Sequence, residues 1–252
     1  MTESAIKTEI LIHDLKVPIS VIDAGAKCLL NRQDIYGPLT DKQAKVVKRI
    51  IRNALTSQRL VNDVLELGRS REGVVTLSEF TVGALVASVL VEIFDLCNPS
   101  MADAVRRAAS YDALNQTLEP WGFGIDFSTR IWATPVRLDK AKVRQILRNL
   151  VSNAFKHRTE RVDIRGNIDC KHLVLRVKDD GRGIPVSEHS RIFKSYFTTG
   201  GALDDAINSH GLGLAGVMVL LRDMGGSLAL DSDDGQGAEF TVVIPLDHQA
   251  KI

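Results

Sequence analysis

Apolar residues recur at alternating intervals of three and four positions along the first part of the chain, which is the spacing of one helical face. In residues 6–30 this stripe consists of Ile12, Leu15, Ile19, Ile22, Ala26 and Leu29. After a break, a second stripe consists of Val47, Ile51, Ala54, Gln58, Val61 and Leu65. The pattern predicts two long amphipathic helices, the second of which ends around Gly68.

Tyr36, Gly37 and Pro38 interrupt the pattern between the two stripes, and Thr40 is well placed to cap the second helix. The sequence therefore predicts a helical hairpin. Because a hairpin with one apolar stripe per helix buries little surface by itself, we expect it to pair with a second copy in a four-helix bundle. An isolated coiled-coil spacer would have the same stripes, so they do not indicate a function.

The pattern changes after Gly73, where short β-like runs alternate with helical stretches. The β-like runs are residues 74–77, 173–177, 227–230 and 240–244, and the helical stretches are residues 82–94, 138–157 and 215–224. This alternation predicts helices packed on a sheet, in an α+β or α/β sandwich. Residues 98–120 are predicted to be an extra helix or a mobile insertion, without assigned chemistry.

Composition narrows the range of partners. Charged residues are 25% and apolar residues 44% of the chain, and the net charge is +1, so there is no electrostatic reason to expect nucleic acid or an anionic membrane as partner. The chain begins without the apolar core of a signal peptide, and no apolar run reaches the length of about 20 residues that spans a membrane. We therefore expect a soluble, cytoplasmic chain. Cys28, Cys97 and Cys170 are far apart and are expected to be buried, reduced thiols.

The first helix contains the sequence HDLKVPIS, in which His13 and Asp14 precede Pro18. At about 100° per residue, His13 lies roughly 150° from the apolar stripe, so it is predicted to face solvent. Considered alone, such a histidine is most often an ordinary surface residue. Asp14 is suited to orient an imidazole proton, and a proline inside a helix costs about 3 kcal/mol, which indicates that a bend is required there.

Two motifs in the second part of the chain combine polar side chains with glycines. Asn149 and Asn153 are four residues apart on one helical face, and their amide oxygens are suitable ligands for a hydrated Mg²⁺. Asp179 follows a β-like run and can accept a hydrogen bond from an exocyclic amine. Gly181 and Gly183 then allow a turn that other backbone can approach closely.

Two further motifs follow. Phe193 and Phe197 have helical spacing, which core packing would also explain. Gly211 and Gly213 immediately precede an apolar helix, where backbone N–H groups and the helix dipole favour a phosphate group. The segment between the Asp179 motif and this glycine motif, with its GG, DD and NS pairs, is predicted to be a mobile lid. Each of the four motifs alone has an ordinary structural explanation.

The order NxxxN, DxGxG, FxxxF and GLGL resembles the N, G1, F and G2 boxes of bacterial sensor histidine kinases, the signalling kinases of two-component systems. HDLKVPI resembles their H box and lies upstream on a helical hairpin, as in that family. The resemblance covers nearly the whole chain and fails mainly at residues 98–120. It implies a multi-domain α plus α/β fold. Residues 1–70 would form the dimerisation and histidine-phosphotransfer hairpin of a dimeric four-helix bundle, and residues 74–252 a catalytic, Bergerat-type α/β sandwich that binds ATP.

By the same resemblance, the chain would be an ATP-dependent protein-histidine kinase that phosphorylates its own His13, with Asp14 assisting removal of the proton. Mg²⁺ would bind at Asn153, supported by Asn149, and Asp179 would recognise the adenine amino group. The other nucleotide-binding positions implied are Lys156, His157, Gly181, Gly183, Phe193, Gly211, Leu212 and Gly213. The implied partners are a second copy of the chain and a response-regulator receiver domain, and a separate sensor protein or domain is a further candidate.

Three positions refine these expectations. ATPases and serine kinases of the same superfamily carry glutamate at the first N-box position, where this chain has Asn149, which cannot act as a base at neutral pH. Val17 stands where histidine kinases usually have a threonine or asparagine that positions water, so we expect weak or absent phosphatase activity. Ser209 stands where the first glycine of the G2 box is often found. The alternative is a signalling scaffold that regulates another kinase by heterodimerising.

Overall fold

The computed structural model describes residues 3–71, 75–169, 171–194 and 213–246. The chain divides into two compact units, Met1–Gly73 and Val74–Ile252. The first unit is a helical hairpin, and the second packs helices on a mixed β-sheet. The predicted fold class, a hairpin followed by an α/β sandwich, is confirmed.

The helices of the hairpin are α1 (Glu3–Asn31), the single turn α2 (Gln33–Tyr36) and α3 (Asp41–Arg71). Thr40 caps the start of α3 as predicted, because its hydroxyl accepts a hydrogen bond from the N–H of Gln43 at 3.3 Å. In return, the Gln43 side-chain oxygen accepts one from the N–H of Thr40 at 2.9 Å. The helix continues three residues beyond Gly68, so the predicted end was too early.

Only some of the apolar residues of the hairpin are buried. Ala26 of α1 and Val47 and Ala54 of α3 are buried. A second set of apolar residues is 39–52% exposed, and we call it the exposed stripe. It consists of Leu15, Ile22 and Leu29 on α1 and Val46 and Ile50 on α3. Because residues seven positions apart lie on the same helical face, the stripe is a continuous apolar surface along α1.

The second unit contains a five-stranded sheet of order β2–β4–β5–β7–β6, in which β2 and β4 are parallel and the other pairs are antiparallel. A separate pair, β1 and β3, is antiparallel. The strands are β1 (Ser78–Thr81), β2 (Phe123–Asp126), β3 (Pro135–Leu138), β4 (Val162–Ile168), β5 (His172–Asp179), β6 (Ser227–Ser232) and β7 (Ala238–Pro245).

The described helices of this unit pack against the sheet and contribute apolar residues to the same core. They are α4 (Val82–Cys97), α5 (Pro99–Arg107), α6 (Tyr111–Leu118), a short 3₁₀ turn (Glu119–Trp121), α7 (Thr129–Ala133), α8 (Lys140–His157), α9 (Val186–Lys194) and α10 (Gly213–Asp223). Fully buried core residues include Leu85, Leu90 and Phe94 of α4, Ile146 and Leu150 of α8, Leu220 of α10, and Ile164, Val177 and Val242 of the sheet. None of the described helices is both long and apolar enough to cross a membrane.

Most predicted elements are present, with clear exceptions. The predicted strands at residues 173–177, 227–230 and 240–244 are parts of β5, β6 and β7, and the three helical stretches correspond to α4, α8 and α10. The strand predicted at residues 74–77 is wrong, because residues 75–77 form no strand and pairing begins at Ser78. β2, β3 and β4 were not predicted.

The cysteine prediction is also wrong in part. Cys97 is exposed because it is the last residue of α4, where the helix leaves the core. Cys28 is half-buried on α1. Cys170 lies outside the described residues.

Residues 98–120 form α5 and α6, so the expectation of an extra helix is confirmed. The alternative of a mobile insertion is wrong, because the apolar residues of these helices join the core. They are Met101, Ala102, Val105, Leu114 and Leu118.

The side chains of α6 also cover the free edge of β2. The Tyr111 hydroxyl donates to the carbonyl of Ile125 at 2.8 Å and accepts from the N–H of Phe127 at 3.0 Å. The Asn115 side-chain oxygen accepts from the N–H of Ile125 at 3.3 Å. These contacts occupy backbone groups that an uncovered edge strand would present for pairing with another chain.

Tyr111→Phe removes both hydroxyl contacts at this edge with little change in side-chain volume. Because a backbone group left without a partner costs about 1–3 kcal/mol, we expect the free energy of unfolding to fall by about that amount. We also expect aggregation to begin at a lower temperature. Circular dichroism and light scattering during heating measure the two effects. Tyr36→Phe, at an exposed tyrosine of the hairpin, is the matched control, and equal effects of the two substitutions would contradict this role for Tyr111.

Candidate functional site

The helix that carries the predicted asparagine pair, α8, is fixed at its first turn. Asp139 caps it, and one carboxylate oxygen accepts hydrogen bonds from the N–H groups of Ala141 and Lys142, both at 3.1 Å. The other carboxylate oxygen accepts one from the N–H of Thr76 at 2.9 Å. Asp139 is 4% exposed. A buried carboxylate at the positive end of the helix dipole therefore connects α8 to the segment before β1.

Polar residues of α8 form one stripe along the helix. Its members are Lys142, Gln145, Asn149, Asn153 and Lys156, and at about 100° per residue they lie within about 80° of one another. Asn149 and Asn153 are half-buried, and Lys156 is exposed beside His157 in the last turn. The structure thus places both asparagines on one face, with basic side chains at the C-terminal end of the helix.

The strand β5 ends at Asp179, which is 6% exposed. One of its carboxylate oxygens accepts a hydrogen bond from the N–H of Gly181 at 2.9 Å. Burial raises the pKa of Asp179 above the ordinary aspartate value, although the N–H groups of Gly181 and Ala238 and the nearby His157 oppose the shift. A ligand that donates an N–H to this carboxylate would replace part of its lost hydration. Asp179 is therefore suited to recognise a donor such as an exocyclic amine.

The neighbouring Asp180 has a different environment. Its carboxylate accepts hydrogen bonds from the N–H groups of Thr159, Glu160 and Arg161 at 2.9–3.1 Å. Burial acts to raise the pKa of Asp180, but the backbone donors outweigh it and the pKa is lowered overall. Asp180 joins the segment after α8 to the end of β5, which is a structural role.

The turn after Asp179 packs closely against backbone from two other segments. A Cβ atom added at Gly181 would lie within 3.0 Å of the carbonyl oxygen of His157, at the end of α8. Gly183 has a φ of +72°, and a Cβ there would lie within 3.0 Å of the carbonyl oxygen of Asp233. Both positions require glycine, so the structure brings Asp179, Gly181, Gly183 and the C-terminal end of α8 together.

The turn between β6 and β7 holds this loop, although its sequence predicted no role for it. The Ser232 hydroxyl, on a residue that is 9% exposed, donates to the carbonyl of Gly237 at 2.6 Å and accepts from the N–H of Ile184 at 2.8 Å. The N–H of Gly235 donates to the carbonyl of Arg182 at 2.6 Å. The sequence DSDDGQG is rich in turn-forming residues and was the signal that could have identified this segment.

Arg158, which directly follows α8, was also not predicted. Its guanidinium carbon lies 4.7 Å and 4.6 Å from the ring centroids of Phe123 and Phe155. The same side chain donates to the carbonyl of Trp121 at 2.8 Å. Burial lowers the pKa of Arg158, and the negative charge of Asp180 opposes this shift. Arg158 therefore fixes the C-terminal end of α8, as Asp139 fixes its start.

Several predicted positions lie outside the described residues or are described only in part. Phe197, Ser209, Gly211 and Leu212 lie outside them. Of the predicted lid, residues 186–194 form α9, and residues 195–209 lie outside the description. Gly213 is the first residue of α10. Phe193 lies in α9 and His13 in α1, but the side chains of both are outside the description. Asp14, next to His13, is exposed.

The donor set on α8 fits one kind of metal ion. The described residues contain no group of three or more His, Cys, Asp or Glu side chains that could hold a metal by themselves. Asn149 and Asn153 offer neutral amide oxygens on one face. Mg²⁺ prefers oxygen ligands and is commonly bound by few protein groups together with substrate phosphates. The asparagine pair fits a Mg²⁺ ion that binds together with a nucleotide.

Comparison with known proteins identifies both units. Residues 138–248 match the family of histidine kinase-, DNA gyrase B- and HSP90-like ATPases, and residues 9–73 match the His kinase A (phospho-acceptor) domain. The circadian input-output histidine kinase CikA of Synechococcus elongatus is 28% identical over 237 residues, which are 92% of this chain and 29% of CikA. The aerobic respiration control sensor protein ArcB of Escherichia coli is 30% identical over 238 residues, 92% of this chain and 27% of ArcB. The chain thus spans less than a third of the length of these relatives.

Solved structures have the same architecture. The crystal structure of full-length ShkA in complex with AMPPNP aligns with a TM-score of 0.60 and 26% identity, covering 95% of this chain and 45% of ShkA. The Acinetobacter baumannii histidine kinase AdeS shares the fold, with a TM-score of 0.52, 20% identity and coverage of 94% of this chain and 98% of that one. A phospho-acceptor hairpin followed by this ATPase fold is the architecture of a signalling kinase. The chain belongs to the bacterial sensor histidine kinases of two-component systems.

Asp179→Asn is expected to separate nucleotide binding from stability. Because burial raises the pKa of Asp179, its charged form is less favourable in the folded state than in the unfolded state. A neutral amide should therefore leave the unfolding temperature unchanged or raise it. The loss of a hydrogen bond to a charged acceptor should weaken ADP binding by about tenfold or more. Calorimetric titration with ADP and thermal unfolding measure the two effects.

Asp180→Asn is the control for this experiment, because the pKa of Asp180 is lowered and its charge is stabilising in the folded state. We expect that substitution to lower the unfolding temperature. In the wild type, the stability contributed by protonated Asp179 is complete below its unfolded pKa and is lost as pH rises through the raised folded pKa. ADP affinity should change in the opposite sense and fall as pH decreases through that value. Wild-type ADP affinity in the Asp179 variant would contradict the assignment.

Proposed function

We propose that this chain is an ATP-dependent protein-histidine kinase that phosphorylates its own His13 and passes the phosphoryl group to a response-regulator aspartate. The observation that carries the proposal is Asp179, a buried carboxylate with a raised pKa in the ATPase unit of a histidine-kinase family member. In this proposal, residues 1–70 form the dimerisation and phosphotransfer domain, and residues 74–252 form the catalytic ATP-binding domain.

The nucleotide would bind between α8 and the loop after β5. Asp179 accepts a hydrogen bond from the adenine amino group. Asn153, supported by Asn149, would hold Mg²⁺, which when bound neutralises charge on the phosphates. Lys156 and His157 contact the phosphates from the last turn of α8. Gly181, Gly183, Phe193, Gly211, Leu212 and Gly213 complete the nucleotide-binding positions.

Phosphoryl transfer needs few protein groups beyond these. A ring nitrogen of His13 attacks the γ-phosphorus, the bond to the oxygen that bridges the β- and γ-phosphates breaks, and ADP leaves. The ring proton passes to the carboxylate of Asp14. The amide of Asn149 cannot activate water as a glutamate would. An imidazole is a better nucleophile than water at neutral pH, so this substitution favours transfer to His13 over hydrolysis.

The exposed stripe supports a homodimer as the active form. Ile22, in its middle, is 52% exposed, and Leu15 and Leu29 lie seven residues to either side. A second copy that places the same surface against it would bury the apolar side chains of all four helices in one bundle. Such isologous pairing would also bring two phospho-acceptor helices and two ATP-binding domains into one assembly.

Incubation of the chain with γ-labelled ATP and Mg²⁺ tests the kinase. We expect a label that is stable in base and lost in acid, which is the behaviour of phosphohistidine, and we expect none in His13→Ala. Unchanged ADP affinity in His13→Ala would show that the loss is not due to unfolding. Nucleotide binding without any label in the wild type would instead favour the regulatory scaffold. Transfer of the label to one receiver domain from a panel would identify the partner class.

Val17 supports weak or absent phosphatase activity. It lies four residues after His13 and is 53% exposed, so its position is open to solvent but offers no hydrogen-bonding group. Val17→Thr should raise ATP-independent dephosphorylation of a receiver domain by about tenfold or more, because a hydroxyl there can orient the attacking water. Autophosphorylation should change little. Val21→Thr, one turn further and 66% exposed, is the matched control.

The rate of phosphate loss from a labelled receiver domain measures this effect. The receiver domain is first labelled by the wild-type kinase and then separated from ATP. Rapid dephosphorylation by the wild-type chain that is lost in His13 or Asp14 variants would contradict the proposed role of Val17.

A further inference from the structure

A buried ion pair joins two helices of the ATP-binding unit. Lys142 of α8 has a side chain that is 1% exposed, and its ammonium group contacts the carboxylate of Asp223, which is 9% exposed. Asp223 is the last residue of α10. Lysine is almost never buried so completely unless it is paired. Lys142 is eleven residues from Asn153, about 16 Å along α8, so it does not take part in the proposed chemistry directly.

We propose that Lys142 and Asp223 are positioning residues for phosphoryl transfer, because their ion pair sets the register of α10 against α8. This inference rests on the proposed function. α10 begins at Gly213, the last glycine of the GLG sequence proposed to contact the nucleotide. α8 carries the asparagine pair proposed to hold Mg²⁺. The pair therefore connects the two helices that flank the phosphates in the proposed site.

α8 is the fixed partner in this arrangement. Asp139 caps its first turn and binds the N–H of Thr76. At the other end, Arg158 lies over the ring of Phe123 in β2 and donates to the carbonyl of Trp121. Because contacts that do not involve α10 fix both ends of α8, the position of Lys142 does not depend on α10. The ion pair then determines where the end of α10 lies.

Apolar packing alone does not set this register. α10 and the residue after it bury Val217, Leu220, Leu221 and Met224, each no more than 1% exposed. Burial of apolar surface is non-directional, and many small rotations of a helix preserve it. The buried ion pair is also a hydrogen bond from Lys142 to Asp223. A hydrogen bond is directional, because it weakens steeply when its distance or angle departs from the preferred geometry. Because α10 is a rigid helix, a small displacement of Asp223 would also move Gly213, about 15 Å away along the helix.

The test replaces the pair by apolar residues of similar size in the full chain. In Lys142→Met/Asp223→Leu we expect an unfolding temperature within about 3 °C of wild type, because such replacements of buried ion pairs are often neutral for stability. We expect an ADP dissociation constant within about threefold, since Asp179 is untouched, and a kcat for autophosphorylation lower by about tenfold or more. A purely structural role would not lower kcat in a stable protein with normal ADP affinity.

Arg148→Met/Glu92→Leu is the matched control. These side chains are 12% and 23% exposed and form an ion pair at 3.2 Å that joins α8 to α4. We expect this variant to keep the wild-type kcat. A folded Lys142/Asp223 double variant with wild-type kcat would overturn the inference, as would an equal loss of kcat in the control.

Asp223→Glu is the second variant, for the case in which the apolar variant does not fold. It keeps the charge but lengthens the side chain by one methylene, which displaces the carboxylate. A lower kcat at unchanged ADP affinity would then support the inference, and wild-type kcat would overturn it. A wild-type chain that neither binds ADP nor labels His13 would overturn the proposed function itself. An active wild type with an equally active variant would overturn only the role of the ion pair.

Discussion

The candidate site depends on the close approach of three backbone segments around Asp179. A Cβ atom at Gly181 would collide with the end of α8, and one at Gly183 would collide with the turn between β6 and β7. At Gly237 a Cβ would lie within 3.0 Å of the carbonyl oxygen of Asp179 itself. This packing displaces water from the carboxylate of Asp179, and the burial raises its pKa. The property that suits this group to a ligand is therefore a consequence of the glycines around it.

The two adjacent aspartates show how the same chemical group takes different roles within one turn. Asp180 accepts three backbone N–H groups and has a lowered pKa, so its charge stabilises the fold. Asp179 accepts fewer donors for its degree of burial, and its raised pKa means that its charge is maintained at a cost to stability. A group of this kind is expected where a ligand supplies the missing donor. Ser232 and Arg158 hold the surrounding backbone in place, so the loop keeps its structure although the charge of Asp179 lowers stability.

The sequence predicted the helices and strands in which apolar residues recur with one clear period. It missed the elements in which that pattern is short or interrupted. α8 has an unbroken apolar face and a capping aspartate, and its two asparagines were correctly placed on one face. β2 is only four residues long and contains Gly124, so no alternation could identify it. β4 reads VDIRGNI, an alternation that was present but weakened by Gly166. Residues 75–77 resemble a strand in composition, yet pairing with β3 begins at Ser78, because register depends on the partner strand.

The contacts of Ser232, Arg158 and Lys142 could not be predicted for a different reason. Each joins residues far apart in the chain, and Lys142 pairs with a residue 81 positions away. Nothing in the local sequence around Lys142 distinguishes it from the surface lysines of an amphipathic helix. Only the packing of α10 on α8 shows that this lysine is buried. The sequence therefore identified the residues proposed to act on the nucleotide, and the structure was needed to find those that hold them.

In the hairpin, small apolar residues lie between the helices and larger ones lie on the exposed stripe. Among the hairpin side chains that the structure describes, three are buried, and two of these are the alanines Ala26 and Ala54. Small residues allow the helices to approach closely, but they remove little apolar area from water. The larger Leu15, Ile22 and Leu29 lie on the exposed stripe instead. The hydrophobic stabilisation that these three side chains can supply is therefore realised only when another surface covers the stripe. In the proposed homodimer that surface is the second hairpin, so assembly would stabilise the helix that carries His13.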